Sequence, residues 1–190
     1  MRLFIAIPFD HKVESFLGKI IGDLKESTAR VKWVDPHNIH LTLKFLGETD
    51  EKLVPKISES LEKIALCYQP MTGIIDIVGA FPNPNKARVV WAGMSKSIEP
   101  LVALADEIDR AMSEFGFEKE TRKFKSHLTL GRPKDPRNVG NLPQLLQNYR
   151  LEPLETNYDT IVLFKSQLTP QGPIYTRLFE TKLKSHEIFS

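Results

Sequence analysis

The chain has 190 residues, of which 41% are hydrophobic and 26% are charged, and its formal net charge is +2. This length is enough for one domain, or for two small lobes, with a real hydrophobic core. So small a net charge does not by itself mark a nucleic-acid-binding protein, and any attraction for a polyanion must come from local clusters of basic residues. The single cysteine, Cys67, excludes an intramolecular disulfide and is predicted to be a small buried side chain at the end of an apolar helix.

The first half of the chain alternates predicted strands with predicted amphipathic helices. Leu3 to Ile7 is apolar throughout, which predicts a strand buried on both faces. Asp10 is suited to cap the helix that follows, in which apolar residues return every three or four positions as far as Leu24. The next predicted elements are a strand at 31–34, a strand at 39–46 and a helix capped by Thr49 or Asp50.

The second half of the chain is predicted to contain two hairpins and two helices. Strands at 72–81 and 87–93 are joined by the turn signal Pro82-Asn83-Pro84-Asn85. The later predicted elements are a helix from about Ser97 to Gly116, a strand at 127–130, a short helix capped by Asn141, and a hairpin of strands at 160–168 and 174–183.

The apolar run at the N-terminus is short. Pro8, Asp10 and His11 interrupt it, so it is too short for a signal-peptide core or a membrane span. We therefore expect a cytoplasmic protein with no membrane partner. No apolar stripe is left over after the helices are assigned, so we expect a monomer.

The segment His-Leu-Thr-Leu occurs twice, at 40–43 and at 127–130, each time after an amphipathic helix and a short connection. Because side chains alternate between the two faces of a strand, the histidine and threonine of each copy project to one side and the leucines to the other. Two similar α+β units that face each other would bring both polar faces to one central cleft.

Two histidines across a cleft suit a reaction that takes up one proton and gives another. Imidazole titrates near pH ~6.5, so a neutral ring can act as general base while a protonated ring acts as general acid. The threonine hydroxyls can donate hydrogen bonds to an anion between them. This combination predicts phosphodiester cleavage without a metal. Each motif supplies one histidine and no neighbouring carboxylate ligands, and His37 falls in a loop, which disfavours a catalytic zinc site.

A basic run precedes the second motif. Lys119, Arg122, Lys123 and Lys125 surround Phe124 and lead directly into the strand at 127–130. Such a run is commonly a solvated surface. Its position favours a second interpretation, in which it steers an RNA backbone toward the cleft.

The order of motifs resembles that of the two-histidine (2H) phosphoesterases, and within them the RNA 2′,3′-cyclic phosphodiesterase branch, also known as 2′-5′ RNA ligase. The resemblance covers essentially the whole chain, with one departure at Ser126, where members often have proline. The matching segments are Arg2-Leu3-Phe4-x-Ala6-Ile7, Trp33-Val34, His40 through Glu48, His127 through Arg132, Ser166-x-Leu168 and Gly172-Pro173-x-Tyr175.

This resemblance implies a fold and an activity. The fold would be a single α+β domain over residues 1–190, with two pseudo-twofold-related lobes, antiparallel sheets lining a central cleft and helices packed outside. The activity would be hydrolysis of RNA 2′,3′-cyclic phosphate ends to 2′-phosphate ends, without metal or other cofactor. In some members, reversible joining through 2′-5′ linkages without ATP would accompany it.

The resemblance also implies a role for individual residues. His40 would donate a proton to the leaving 3′-oxygen, and His127 would accept one from water. Thr42 and Thr129 would hold the phosphate, and Arg132 would add a charge-assisted contact.

Four aromatic residues have less definite roles. Phe4 and Tyr175 are candidates for base or ribose contacts, with core packing as the equal alternative. Trp33 and Trp91 are expected in the core or the cleft wall.

Two other functions stay open on the residues alone. The same catalytic pair would serve another 2H activity, on 2′-5′ oligoadenylate or a small cyclic nucleotide. A non-catalytic module that binds RNA ends is the alternative from a different class, and the presence of both histidines argues against it.

Overall fold

The computed structural model describes residues 1–184, which form an α+β protein of ten strands and four helices. In chain order these elements are β1 (Arg2–Pro8), α1 (His11–Leu24), β2 (Val31–Trp33), β3 (His40–Glu48), α2 (Val54–Ala65), β4 (Met71–Ile75), β5 (Ile77–Phe81), β6 (Val89–Gly93), α3 (Glu99–Ser113), β7 (His127–Pro133), α4 (Leu142–Asn148), β8 (Leu154–Tyr158), β9 (Thr160–Thr169) and β10 (Gly172–Lys182).

Two four-stranded antiparallel sheets form the frame of the molecule. One has the strand order β10-β9-β1-β3 and the other the order β2-β7-β6-β5, while β4 and β8 make a separate two-stranded sheet. Each large sheet therefore holds one copy of the repeated motif, on β3 at an edge and on β7 in the interior. The predicted α+β class with antiparallel sheets is confirmed.

The leucines of both motifs lie in one hydrophobic core. Leu41, Leu43, Leu128 and Leu130 are all buried there, against apolar residues from α1, α2 and α3. The histidine and the threonine of each motif are only partly buried, so the motif segment of each strand has a core face and a polar face, as its alternation predicts. Burial of these apolar side chains stabilises the two strands that carry the polar residues.

Capping side chains fix where two helices begin. Asp10 accepts a hydrogen bond from the backbone N–H of Val13 at 3.0 Å and is the predicted N-cap of α1. Asp50 caps a short 3-10 turn, Glu51–Leu53, that leads into α2. Thr49, the alternative cap, instead donates its hydroxyl to the Gly47 carbonyl.

The predicted strand over 72–81 is wrong in one respect, because it is two strands that belong to different sheets. β4 pairs with β8, whereas β5 forms the predicted hairpin with β6. The break falls at Asp76, whose carboxylate accepts hydrogen bonds from the backbone N–H and the hydroxyl of Ser95. These bonds hold Asp76 between the two sheets, and the partner strand β8 was not predicted.

One other expectation is wrong, and another is confirmed only in its position. Cys67 is exposed, because it lies beyond the last residue of α2 and outside the apolar face of that helix. Asn141 is the N-cap residue of α4, as predicted, but its side chain makes no capping hydrogen bond, because its oxygen accepts a hydrogen bond from the backbone N–H of Thr28 at 2.8 Å. In residues 1–184, none of the helices is both long enough and apolar enough to cross a membrane.

Candidate active site

The polar faces of β3 and β7 open onto one cavity of about 1230 Å³. β3 contributes His40 and Thr42 to its lining, and β7 contributes His127, Thr129 and Arg132. The structure thus brings together all five residues for which the sequence predicts proton transfer or phosphate contact. They come from two different sheets, so the site exists only when both halves of the chain are folded.

A backbone carbonyl two residues earlier holds each histidine ring. The Asn38 carbonyl lies 2.8 Å from His40 Nδ1, and the Lys125 carbonyl lies 2.8 Å from His127 Nδ1. A carbonyl can only accept, so Nδ1 of each ring carries a proton and donates it. Nε2 is then the nitrogen of each ring that can exchange a proton with a ligand in the cavity.

The two rings differ in their surroundings. His40 stacks on Phe4 with ring centroids 4.7 Å apart, and Tyr175 meets it edge-on at 5.3 Å. Burial lowers the pKa of His40 below its ordinary value, and the hydrogen bond to the Asn38 carbonyl opposes this effect. His127 meets the ring of Phe81 edge-on at 5.3 Å.

Phe4 packs behind His40 rather than facing the cavity. It is 3% exposed, and His40 and Phe164 stack on it at 4.7 and 5.1 Å. Core packing therefore accounts for Phe4, whose ring is buried among His40, Phe164 and Tyr175. Tyr175 contacts the edge of Phe4 at 5.0 Å and is partly buried. Burial raises the pKa of its hydroxyl, and the positive charges of Arg132 and Arg2 oppose that rise.

A β-bulge follows the threonine in both motif strands. On β3, Thr42 pairs with Ala6 and Lys44 with the next residue, Ile5, so that Leu43 is the extra residue. On β7, Thr129 and Gly131 pair with consecutive residues of β6 in the same way. Beyond each bulge the alternation of faces is therefore reversed.

The bulge explains two side chains that strict alternation would misplace. Lys44 should share the polar face with His40, yet it is 3% exposed and lies on the core side. Phe45 should be in the core, yet it is 60% exposed and lines the cavity. Arg132 occupies the equivalent place on β7 and reaches the cavity for the same reason. Phe45 was not predicted to line the site, because no residue type in this motif marks the position of the bulge.

Lys44 ties β3 to the segment that precedes β7. Its Nζ lies 2.5 Å from Asp109 Oδ1 on α3 and 2.5 Å from the Glu118 carbonyl. Asp109 also accepts the backbone N–H of Glu120 at 3.1 Å. This buried ion pair anchors one end of residues 118–126, and the other end carries the Lys125 carbonyl that holds His127.

The basic run lies at the cavity, as one of its two interpretations requires. Phe124 is part of the lining together with Arg122, Lys123 and Lys125, whereas Lys119 is not among the lining residues. Lys125 Nζ also lies 5.8 Å from the ring centroid of Phe81, where it can make a cation–π contact. The cationic residues of this rim are Lys86, Arg88, Arg122, Lys123, Lys125, Arg132 and Arg137.

Both tryptophans lie away from this lining. Trp91 stacks on Phe81 at 5.0 Å, and Trp33 packs against the core. In residues 1–184, the group of three side chains that could hold a metal ion is His11, Glu14 and His37, none of which is among the residues that line the cavity.

The fold and the site define a two-lobed protein with one histidine from each lobe in a shared cleft. A family model described as LigT-like phosphoesterase matches the chain twice, over residues 9–91 and 93–175. The chain belongs to this family, which confirms the resemblance found in the motifs. Each match contains one His-Leu-Thr-Leu segment, in agreement with the internal repeat.

Two curated relatives and one solved structure show how far the similarity extends. A Methanocaldococcus jannaschii protein is 38% identical over 176 residues, which cover 92% of this chain and 96% of the relative. An Archaeoglobus fulgidus protein is 37% identical over 183 residues, which cover 95% of this chain and 100% of the relative. Both are named RNA 2′,3′-cyclic phosphodiesterase. The crystal structure of TT0787 of Thermus thermophilus superposes with a TM-score of 0.80 at 28% identity, covering 98% of this chain and 100% of that one.

Proposed function

We propose that this protein hydrolyses RNA 2′,3′-cyclic phosphate ends to 2′-phosphate ends. The observation that carries the proposal is the pair of histidines, His40 and His127, each held through Nδ1 and lining one cavity. The curated relatives named RNA 2′,3′-cyclic phosphodiesterase support the choice of substrate. No metal or cofactor is needed for the reaction, because two imidazoles can supply both proton transfers.

His127 Nε2 takes a proton from water, whose oxygen then attacks the phosphorus. The bond between phosphorus and the 3′-oxygen breaks, and His40 Nε2 gives its proton to that oxygen. One proton enters and one leaves the pair, and solvent then restores both rings. The direction of transfer follows the family resemblance, because the two motifs share the same spacing.

The lowered pKa of His40 bears on its role as donor. In the free enzyme, burial favours the neutral ring, which has no proton to give from Nε2. A bound phosphate diester brings a negative charge to the cavity, and such a charge favours the imidazolium form. Substrate binding therefore raises the pKa of His40, so that the ring is protonated and can act as the donor.

The remaining polar groups hold the phosphate. Thr42 and Thr129 donate their hydroxyls to the non-bridging oxygens, whose negative charge grows as water adds. Arg132 contributes a charge-assisted hydrogen bond. Phe45, on β3, has an exposed aromatic ring on which a base can stack.

The cationic rim favours an RNA chain over a mononucleotide. Lys123 and Lys125 line the cavity, where they can contact the phosphates of an RNA chain, and phosphate contacts of this kind depend strongly on salt. We also propose that residues 1–190 form a single two-lobed unit that acts as a monomer. The exposed free thiol of Cys67 suits a reducing, cytoplasmic compartment.

The same residues can catalyse joining. If the 5′-hydroxyl of a second RNA takes the place of water, His127 deprotonates it and a 2′-5′ linkage forms as the 3′-oxygen leaves. This step needs no ATP, because the cyclic phosphate ester is itself the activated group. Joining is therefore a further activity of the same cleft.

A substrate panel in EDTA tests the proposal. The panel holds an RNA oligonucleotide with a 2′,3′-cyclic phosphate end, a 2′-5′ oligoadenylate and a 2′,3′-cyclic mononucleotide. We expect the highest kcat/KM for the cyclic-phosphate oligonucleotide. Preference for the oligoadenylate or the mononucleotide would support another 2H activity. Tight binding of the oligonucleotide without turnover would support the non-catalytic module, and activity that EDTA abolishes would support a metal enzyme.

A further inference from the structure

Three side chains that the reaction does not use meet behind the turn that precedes β3. His11 and Glu14 are one turn apart at the start of α1, and His37 lies in the 3-10 turn Pro36–Asn38. Their ligand atoms, two imidazole nitrogens and a carboxylate oxygen, all lie within 4.8 Å of one another. None of the three side chains lines the catalytic cavity.

The three ligand atoms are close enough together to reach a single ion. Glu14 Oε2 lies 2.7 Å from His37 Nδ1 and 3.5 Å from His11 Nδ1. Tetrahedral zinc with bonds of about 2.0–2.1 Å places its ligand atoms about 3.4 Å apart. The side chains of His11 and His37 are 84% and 69% exposed, so both rings can turn by the small amount that an ion requires.

The backbone beneath these side chains is held in place. Asp10 caps α1 directly before His11, and Asp35 accepts the backbone N–H of His37 at 3.0 Å. α1 also packs closely on the turn, because a Cβ at Gly18 would lie 3.3 Å from Pro36 Cγ. The two elements that carry the ligands are therefore fixed relative to each other before any ion arrives, which favours binding.

We propose that His11, Glu14 and His37 form a zinc site, separate from the catalytic cleft, with water as the fourth ligand. Two imidazoles and one carboxylate are a ligand set that zinc takes in proteins with an open position. A simple hydrogen bond between His37 and Glu14 would not require His11. The rings of His11 and His37 are nearly parallel, with 9° between their planes and 6.3 Å between their centroids, and Nδ1 of each ring faces the same carboxylate oxygen of Glu14.

The experiment is calorimetric titration of ZnCl₂ into the full chain after EDTA treatment and dialysis into metal-free buffer. A neutral to slightly basic pH is used, because imidazole binds a metal only when it is deprotonated. We expect one equivalent of zinc to bind the wild type. His11→Ala, Glu14→Gln and His37→Ala should each weaken that binding by at least about tenfold, because each removes a direct ligand.

Two controls distinguish this site from zinc binding elsewhere on the chain. Glu62→Gln changes an exposed glutamate on α2 and should leave zinc binding unchanged. The double variant His40→Ala, His127→Ala removes the cleft histidines, which could themselves bind zinc, and should retain the one-equivalent site. Circular dichroism establishes that every variant is folded.

Three results would overturn the proposal. The wild type could bind no zinc, the three ligand variants could bind it as tightly as the wild type, or binding could disappear in the cleft variant. None of these results affects the proposed hydrolysis, because that reaction is measured in EDTA, where this site holds no metal.

Discussion

β3 and β7 are two copies of one local structure placed in different surroundings. Both begin with His-Leu-Thr-Leu, both hold the histidine through a carbonyl two residues earlier, and both have a bulge after the threonine. The first five residues beyond each histidine also share one pattern of burial. The local sequence therefore sets the orientation of the catalytic groups in the same way twice.

The two strands diverge immediately beyond the bulge. Lys44 on β3 reaches Asp109 on α3, whereas its counterpart Gly131 has no side chain. A Cβ at Gly131 would lie 2.7 Å from the ring of Trp33, so the glycine allows β2 to pack there. At the next position Phe45 and Arg132 both reach the cavity, one aromatic and one charged. The repeated segment supplies the histidine and the threonine on each side of the cleft. The residues that follow it make the two walls of the cleft different.

The largest expected effect comes from removing either histidine. His40→Ala and His127→Ala should each lower kcat for the cyclic-phosphate oligonucleotide by about 10³-fold or more, because each removes one proton transfer. The double variant should lose little beyond either single variant, because the two rings act as a unit. Steady-state kinetics in EDTA measure both effects.

His11→Ala is the matched control for these variants, because it removes an exposed imidazole outside the cleft. Its kcat should equal that of the wild type. If His127→Ala alone retained wild-type kcat, the two motif strands would not be equivalent partners in the chemistry.

The second-largest expected effect is a loss of folding stability at Lys44, which has no side-chain counterpart on β7. Asp109→Asn should lower the free energy of unfolding by about 3 kcal/mol, because it removes the nearer carboxylate and leaves the buried Lys44 charge only the more distant, exposed Glu120 at 3.7 Å. The double variant Lys44→Met, Asp109→Asn should regain most of that loss, since no unpaired charge is then buried. Urea unfolding measures each free energy.

Asp106→Asn serves as the control for this pair, because Asp106 is exposed on the same helix. Its unfolding free energy should match that of the wild type. A double variant as unstable as Asp109→Asn would mean that Lys44 stabilises the fold by packing and not by charge.

A smaller effect is expected at the threonines. Thr42→Val and Thr129→Val keep the side-chain shape and remove a hydroxyl, so each should lower kcat by about 10- to 100-fold. Thr→Ser at either position should restore most of the rate, because it restores the donor. Loss of kcat in both serine variants would assign the threonines to packing instead of phosphate binding.

The smallest expected effect is a shift in titration. By NMR, His40 should titrate below the ordinary imidazole value of about 6.5, because burial disfavours its charged form. The neutral ring therefore dominates as pH rises through that lowered pKa. Sulfate, which stays anionic over this range, should raise the pKa of His40 by stabilising the imidazolium. A free-enzyme pKa at or above 6.5 would contradict this description of the pocket.

Much of the site could be predicted from the sequence, because short-range rules govern it. Alternation along a strand places His40 and Thr42 on one face, and the repeat at 127–130 supplies their partners. The distance between the two copies comes from the tertiary fold, and the internal repeat predicted only that two similar units facing each other would bring both copies to one cleft.

The predictions that failed depend on contacts made far along the chain. Residues 72–81 were predicted as one strand because apolar residues continue on both sides of Asp76, and the contact of Asp76 with Ser95 shows where the two strands divide. β8 shows only a weak alternation of apolar and polar residues, so its sequence does not predict a strand. Its pairing with β4 makes this segment a strand. Asn141 is a residue type that favours helix capping, but its side-chain oxygen accepts a hydrogen bond from the backbone N–H of Thr28 instead.

The regiochemistry of the product tests the central claim most directly. Wild-type enzyme in EDTA is given the cyclic-phosphate oligonucleotide in ¹⁸O-labelled water, and the product is followed by phosphorus NMR. The proposed roles of His40 and His127 predict a 2′-phosphate with one ¹⁸O atom, because water adds as the bond to the 3′-oxygen breaks. A 3′-phosphate product, or no product without added metal, would contradict them.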